Sequence, residues 1–301
     1  MQLDTLLSSL LAHWKSPDIR VDVVYNFSTK DFGEAYERLS SDYSDKNIKL
    51  HRECISNPDR VKIQDFVYLY NLVRLYKDKK LRHPKTNFRS IVIDLIEKSE
   101  AENVMFLTDD SMFVSDVNIL QEDISWINDK PWERQFSLRL GEGVNPLPKD
   151  VEIEGLYCNW NMYQNIGNWG YPFSVDAHIY NKNVILKLLK TYLFYNPSFL
   201  EGNICGVVRR AKYFAESRCY RDIKMLTFPI NIVQSSVDND SQDVSVEMLN
   251  ALYLKGERLE YVVDERFDAT KQYVKMLKFK NQQGECRMQE ISQELIRPNN
   301  I

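Results

Sequence analysis

Residues 88 to 113 most constrain what this chain can fold into. Phe88, Ile91, Val92, Leu95 and Ile96 recur at intervals of three and four, the repeat of a helix with one buried stripe. Asn103-Val104-Met105-Phe106-Leu107-Thr108 follows, a short apolar run suited to a strand buried on both faces. It stops at Asp109-Asp110-Ser111, and apolar Met112-Phe113-Val114 resumes at once. Helix, buried strand, then carboxylates at the strand's carboxyl end is how open α/β sheets place ligands. Adjacent carboxylates repel each other unless a cation or donor sits between them, so the pair suits a divalent ion. A solvated acidic turn is the plain alternative, and the immediate return to Met-Phe-Val weighs against it.

The same alternation extends in both directions. Leu3, Leu6, Leu7, Leu10, Leu11 and Trp14 form one face of a first helix, a packed surface helix rather than a membrane anchor. Ile19–Tyr25 and Ile48–Arg52 have strand character, Phe32–Leu39 and Phe66–Tyr76 helical spacing, and Lys77–Pro84 is a polar loop. Further helices are predicted at Val117–Ile127, Val184–Leu193, Phe199–Arg210 and Val246–Leu254, and a strand at Phe136–Gly141. Ser235–Asp243 is a polar loop, and the polar stretch from Asn281 to Ile301 a loosely held tail. Helices alternating with short strands predict an α/β protein with a mixed, mostly parallel, Rossmann-like sheet flanked by helices.

Composition narrows the function. A net charge of −4 gives no basis for general nucleic-acid binding; only local clusters such as Lys77–Arg82 could meet anionic groups. The five cysteines are scattered without paired spacing, which argues against a zinc ribbon or disulfide framework and fits a reducing, cytoplasmic setting. No apolar run reaches membrane-spanning length, although peripheral contact with a membrane is allowed.

From Leu156 to Phe173, Tyr157, Trp160, Tyr163, Trp169, Tyr171 and Phe173 are interleaved with Asn and Gly. Rings beside amides suit a sugar, whose C–H faces lie on aromatics while amides bond its hydroxyls. A glycine-relieved loop with its aromatics packed inward is the alternative.

In order, Val23-Val24-Tyr25-Asn26, Phe88-Arg89, Phe106–Ser111, Phe136–Gly141, Tyr171–Tyr180 and Asn196–Glu201 resemble a GT-A fold nucleotide-sugar glycosyltransferase of the bacterial polysaccharide-assembly type. The resemblance covers roughly residues 1–260 and rests on order and spacing, since Asp-Asp-Ser alone is common. It implies a nucleotide-sugar half at about 1–141, an acceptor half at about 142–260, and a C-terminal extension at 261–301. It also implies that Asp109, Asp110 and Ser111 hold Mn²⁺ or Mg²⁺ against the donor's diphosphate, offsetting charge on the leaving group. Asn26, Arg89 and Arg139 become donor contacts, guanidinium forks suiting phosphate oxygens, although an ordinary ion pair explains either arginine as well. An inverting transfer needs a carboxylate to take the acceptor hydroxyl's proton. Glu201, near the start of a helix, matches that base, and Asp176 is the second candidate. His178 could ligate metal, but a locally satisfied histidine explains it without one.

Two departures stand out. The family's opening strand is missing before the first helix, and no histidine follows His178 to serve as the family's late metal ligand. The expected activity is metal-dependent transfer of a sugar from a nucleotide-sugar donor to a glycan or lipid-linked glycan acceptor. A non-catalytic or truncated nucleotide- or sugar-binding relative is the alternative, and a metal-dependent phosphohydrolase a third.

Overall fold

The computed structural model describes residues 1–16, 19–231, 242, 244–263 and 274–291. The first helix, α1 (Gln2–His13), leads to β1 (Val21–Tyr25), α2 (Lys30–Asp42) and β2 (Ile48–Arg52). A 3-10 turn at Ile63–Val67 precedes α3 (Leu69–Lys77), α4 (Lys79–Arg82) and α5 (Phe88–Lys98). Then come β3 (Asn103–Met105), β4 (Ser111–Phe113), α6 (Gln121–Asp129), β5 (Arg134–Ser137), β6 (Glu152–Glu154) and β7 (Tyr157–Asn161). They are followed by β8 (His178–Asn181), α7 (Lys182–Thr191), α8 (Pro197–Ala211), β9 (Glu216–Tyr220) and β10 (Met225–Thr227). The chain closes with α9 (Val246–Leu254), β11 (Arg258–Tyr261), β12 (Met276–Lys280) and β13 (Cys286–Glu290).

The architecture is mixed α/β. Six strands form the main sheet in the order β3-β8-β5-β9-β7-β6, with helices on both faces. The period-two alternation of strands decides what each face buries. Tyr180 and Cys219 point into a core shared with α5, α7 and α8, while their neighbours Ile179 and Tyr220 join Leu6 and Leu10 of α1 and Ile127 of α6 on the other face. Leu7, on the next side of α1, packs instead with α2 and α9. Thus α1 is wedged between two cores.

The sheet is not mostly parallel. Among the described residues only β5–β9, and β1–β2 in a separate pair, run parallel; the other strand pairs are antiparallel. The reason is the insertion of β8 between β3 and β5: both pair with it antiparallel, so they share a direction without touching. Periodicity shows which face is apolar but not which neighbour pairs with an edge. The strand expected at 103–108 is likewise shorter and lies at the sheet's edge, half-buried rather than covered on both faces.

The aromatics of 157–173 mostly turn inward. Trp160, Trp169 and Phe173 are buried. Their polar handles are satisfied locally: Trp160 Nε1 donates to Trp169 O at 2.8 Å and Trp169 Nε1 to Val144 O at 3.3 Å. Tyr163 donates to the Val208 and Tyr213 carbonyls. Gly170 permits this tight loop, because a Cβ there would collide with the Asn165 carbonyl. These rings are core, not a sugar platform.

At the C-terminal end, β12 and β13 add to β11 as one antiparallel sheet, so that sheet crosses the expected boundary at residue 260. The expected loose tail holds a turn and then the paired strand β13 (Cys286–Glu290), and 292–301 lie outside the described residues. The loop expected at 235–243 also lies outside them, apart from Gln242. Among the described residues no helix is long and apolar enough to cross a membrane.

Candidate functional site

Because β3 and β5 share a direction and β8 runs against them, the carboxyl ends of the first two meet the amino end of the third. Three loops leave this edge. The first is a β-turn closed by Ser111 N–H donating to Thr108 O at 3.2 Å, with Asp109 and Asp110 as its central residues. The second approaches β8 through Ser174, Val175 and Asp176. The third follows β5 and carries Arg139.

Backbone bonds fix their relation. Ala177 N–H donates to Phe106 O at 2.8 Å, and Leu138 N–H donates to Ala177 O at 2.9 Å. Ala177 takes φ +50°, a left-handed conformation that a residue with a Cβ adopts only when its surroundings impose it. Being fully buried and held on both sides, it sets the direction in which Asp176 leaves. The Thr108 hydroxyl then donates to Asp176 Oδ1 at 2.7 Å, joining the first two loops.

Glu201 enters from α8, at the fifth residue of the helix rather than its first turn. The Asn196 side chain caps α8 by accepting from Phe199 N–H, so the Glu201 carboxylate is free of capping. It reaches back instead, and its Oε1 accepts from Val175 N–H at 3.0 Å. The structure therefore gathers Asp109, Asp110, Asp176 and Glu201 at one edge of the sheet, with Arg139 beside Glu201.

Electrostatics follow from this crowding. The Asp110 carboxyl is pushed up to about 8, first by burial and then by repulsion from Asp176 and Asp109. Its Oδ1 is buried and finds no hydrogen-bond partner among the described residues. Asp109 keeps solvent access, with the rest of the protein packed around it. That surrounding mass also raises its carboxyl. Burial, then Asp176, raises the Glu201 carboxyl above the ordinary range.

Other expected residues fall differently. Arg139 Nη2 donates to Asn168 Oδ1 at 3.4 Å and its buried Nε is unpartnered among the described residues. Arg89 is committed elsewhere: it donates to Lys190 O at 2.8 Å, lies 3.7 Å from Asp65, and packs over Phe194. Asn26 is exposed just beyond β1, its Oδ1 accepting from Phe27 N–H. His178 is sealed in the core beside Gln135, with burial and then Arg139 lowering it to about 3, so it is neutral. A neutral imidazole hydrogen-bonded within the sheet is the structural histidine expected of an isolated Asp-x-His.

Several neighbours were not legible in the sequence. Tyr36 of α2 is held above its usual value by burial and then by the Asp109 charge, with Tyr25 and Glu53 adding to it. Tyr25 and Tyr36 stack with ring centroids 4.1 Å apart, and Phe27 lies 6.3 Å from each. The end of β1 and helix α2 thus bring an aromatic group towards Asp109. Tyr261 of β11 is held up first by burial, with Asp110 and Asp109 adding to it. Tyr25 closes the Val23-Val24-Tyr25-Asn26 run, while nothing in the sequence singles out Tyr36 or Tyr261.

A metal was expected between Asp109 and Asp110. Among the described residues no group of three or more His, Cys, Asp and Glu side chains could hold one alone. The donor set fits a cation shared with a ligand: Mg²⁺-type sites use one or two carboxylates and complete their shell with phosphate oxygens and water. The unpartnered Asp110 Oδ1 and the site's affinity for a proton are what such a shared ion would relieve. A separate groove of 490 Å³, lined in part by Asp116, Glu142, Tyr220 and Arg221, holds none of these carboxylates.

No protein-family model matches this chain, and no curated protein matches it.

Proposed function

We propose that the chain is a metal-dependent glycosyltransferase of GT-A type, moving a sugar from a nucleotide-sugar donor to a glycan or lipid-linked glycan acceptor with inversion. One observation carries the reading: a buried Asp110 oxygen, unpartnered among the described residues, shares a sheet edge with three further carboxylates, of which Glu201 has a raised proton affinity and a fixed orientation. A cation-binding carboxylate beside a poised base is what displacement of a diphosphate by a hydroxyl requires.

In this reading Asp109 and Asp110 hold the divalent ion together with the donor's diphosphate, and the ion supplies charge neutralisation for the leaving group. Glu201 acts as the base. Its Oε1 is engaged by Val175 N–H, which orients the group, and the hydroxyls of Ser174 and Tyr171 also bear on the carboxylate that would meet the acceptor hydroxyl. As Glu201 takes that proton, the hydroxyl oxygen bonds to the anomeric carbon and the bond to the diphosphate breaks with its electron pair. Asp176, tied to Thr108, serves better as a positioning group whose charge raises the Glu201 proton affinity. Arg139 offers positive charge on the same side. The Tyr25–Tyr36 stack beside Asp109 supplies a flat surface suited to the donor's base.

The test is donor turnover with Mn²⁺ across a panel of nucleotide-sugars, comparing wild type with Asp110→Ala and Glu201→Gln. Loss in both variants is expected. Unchanged turnover in both would remove the assignment, while nucleotide binding without turnover on any donor would favour the non-catalytic alternative.

A further inference from the structure

We infer that the face formed by residues 60–85 docks onto an anionic lipid bilayer. The helix α3 is inverted relative to an ordinary surface helix. Leu69, Leu72, Val73 and Tyr76, at helical spacing, face outward, Leu69 being 75% and Tyr76 85% exposed. Its inward face holds the amide of Asn71, 1% exposed, beside Leu75. Asn71 Nδ2 donates to the Asp65 and Thr191 carbonyls at 3.1 and 2.9 Å, and its Oδ1 accepts from Leu193 N–H at 3.3 Å. The 3-10 turn before it repeats the pattern. Asp65 is buried and accepts from Lys62 N–H, whereas Ile63, Phe66 and Val67 are exposed, Ile63 at 90%. Polar groups anchor this segment inward and apolar groups are left outside, so burial within the chain does not explain the stripe.

Charge selects the occupant. Residues 58–85 hold eight Lys or Arg against three Asp, a net +5 in a chain whose total is −4. Seven of those cations are exposed: Arg60 and Lys62 before the stripe, and Lys77, Lys79, Lys80, Arg82 and Lys85 after it. None of the three Asp is exposed. Asp59 is taken up by Arg89 N–H and Ser90, and Asp78 caps α4 through Lys80 N–H at 2.7 Å. Among the described residues none of the seven cations is in an ion pair. An apolar strip with Tyr at its edges, flanked by uncompensated cations, matches the interface of an anionic leaflet: chains enter the headgroup boundary while ammonium groups meet phosphates.

The platform is rigid underneath. Tyr70 donates to Asn203 O at 3.2 Å and packs onto Gly206, where a Cβ would come within 2.8 Å of its hydroxyl. Docking would therefore hold α8, which carries Glu201, one helix away from the lipid. The inference needs only this surface and not the transferase chemistry.

Vesicle co-sedimentation tests it. With vesicles of phosphatidylcholine containing about 30% phosphatidylglycerol, the protein should partition strongly, and only weakly with phosphatidylcholine alone. The triple variant Lys79→Gln, Lys80→Gln, Arg82→Gln should lose about fivefold per cation, on the order of a hundredfold in all. Raising salt from about 0.1 M to about 1 M should weaken binding, since the screening length falls from about 10 to about 3 Å. Leu72→Glu with Tyr76→Glu, outward positions whose unchanged circular dichroism would certify folding, should abolish it. No partition into anionic vesicles would overturn the proposal. So would equal partition of wild type and both variants, or a dimer in sedimentation velocity that Leu72→Glu dissolves in a protein that ignores vesicles.

Discussion

Replacing Asp110 by Asn isolates the electrostatic load of the site. The carboxyl is raised from 3.8 to about 8 by burial and by the adjoining Asp176 and Asp109. The folded protein therefore keeps a proton that the unfolded chain releases above about pH 4, and stability falls as pH rises towards the folded value. At about 1.4 kcal/mol per unit, the ceiling on this loss between about pH 5 and about pH 8 is about 3–4 kcal/mol. Water entry and local relaxation reduce it, so about half is the expected size. Asn cannot ionise, so the variant escapes the loss. Urea denaturation of both proteins across this range should give midpoints that converge in acid and separate above neutrality, with Asp110→Asn the more stable. A difference that does not change with pH, or that favours wild type at about pH 8, would refute the reasoning.

Further outcomes follow from the same geometry. Mn²⁺ with a nucleoside diphosphate should raise the wild-type melting temperature near neutral pH and leave Asp110→Asn unmoved, as calorimetry can measure. Glu201→Gln should lower turnover by about 10²–10⁴-fold and remove the acid limb of the pH–rate profile, because the wild-type base, raised above its usual value, protonates and stops working as pH falls. Thr108→Val, which strips the donor from Asp176, should cost about 1.5–3 kcal/mol in denaturant, and Thr108→Ser much less. Asn71→Leu should destabilise by at least about 2 kcal/mol because three backbone groups lose their partner, whereas Leu72→Gln should stay within about 0.5 kcal/mol.

Much of the local structure was legible. The ends of β2 and α9 coincide with the apolar pattern and its breakers, and α1, α5 and α7 follow their three-four repeats closely. The acidic turn is where the strand pattern stops, and Glu201 lies on the helix predicted for it. Strand direction was not legible. Tyr171–Tyr180 carried recognisable residues, but nothing in them states that β8 inserts antiparallel between β3 and β5. The aromatic segment misled for a related reason: an Asn-rich run of rings has the same composition whether the indole N–H groups meet a ligand or the backbone carbonyls of Trp169 and Val144. Arg89 looked like a phosphate contact by type, and only packing ties it to Lys190 O and Asp65.

The sequence by itself determined the longer helices and the strands β1 and β2, where their apolar stripes run, and that two adjacent acids interrupt an apolar stretch; the short strands β6, β7 and β9–β13 carry too little pattern to be read from it. Those are consequences of side-chain period and backbone preference, which act over a few residues. Only the tertiary structure decided that Asp110 and Glu201, 91 positions apart, flank Asp176 at one edge of a sheet. It also decided that Asn71 turns inward while Leu72 is left outside. Burial and charge crowding depend on which elements cover one another, and that is a property of the packed molecule rather than of any local pattern.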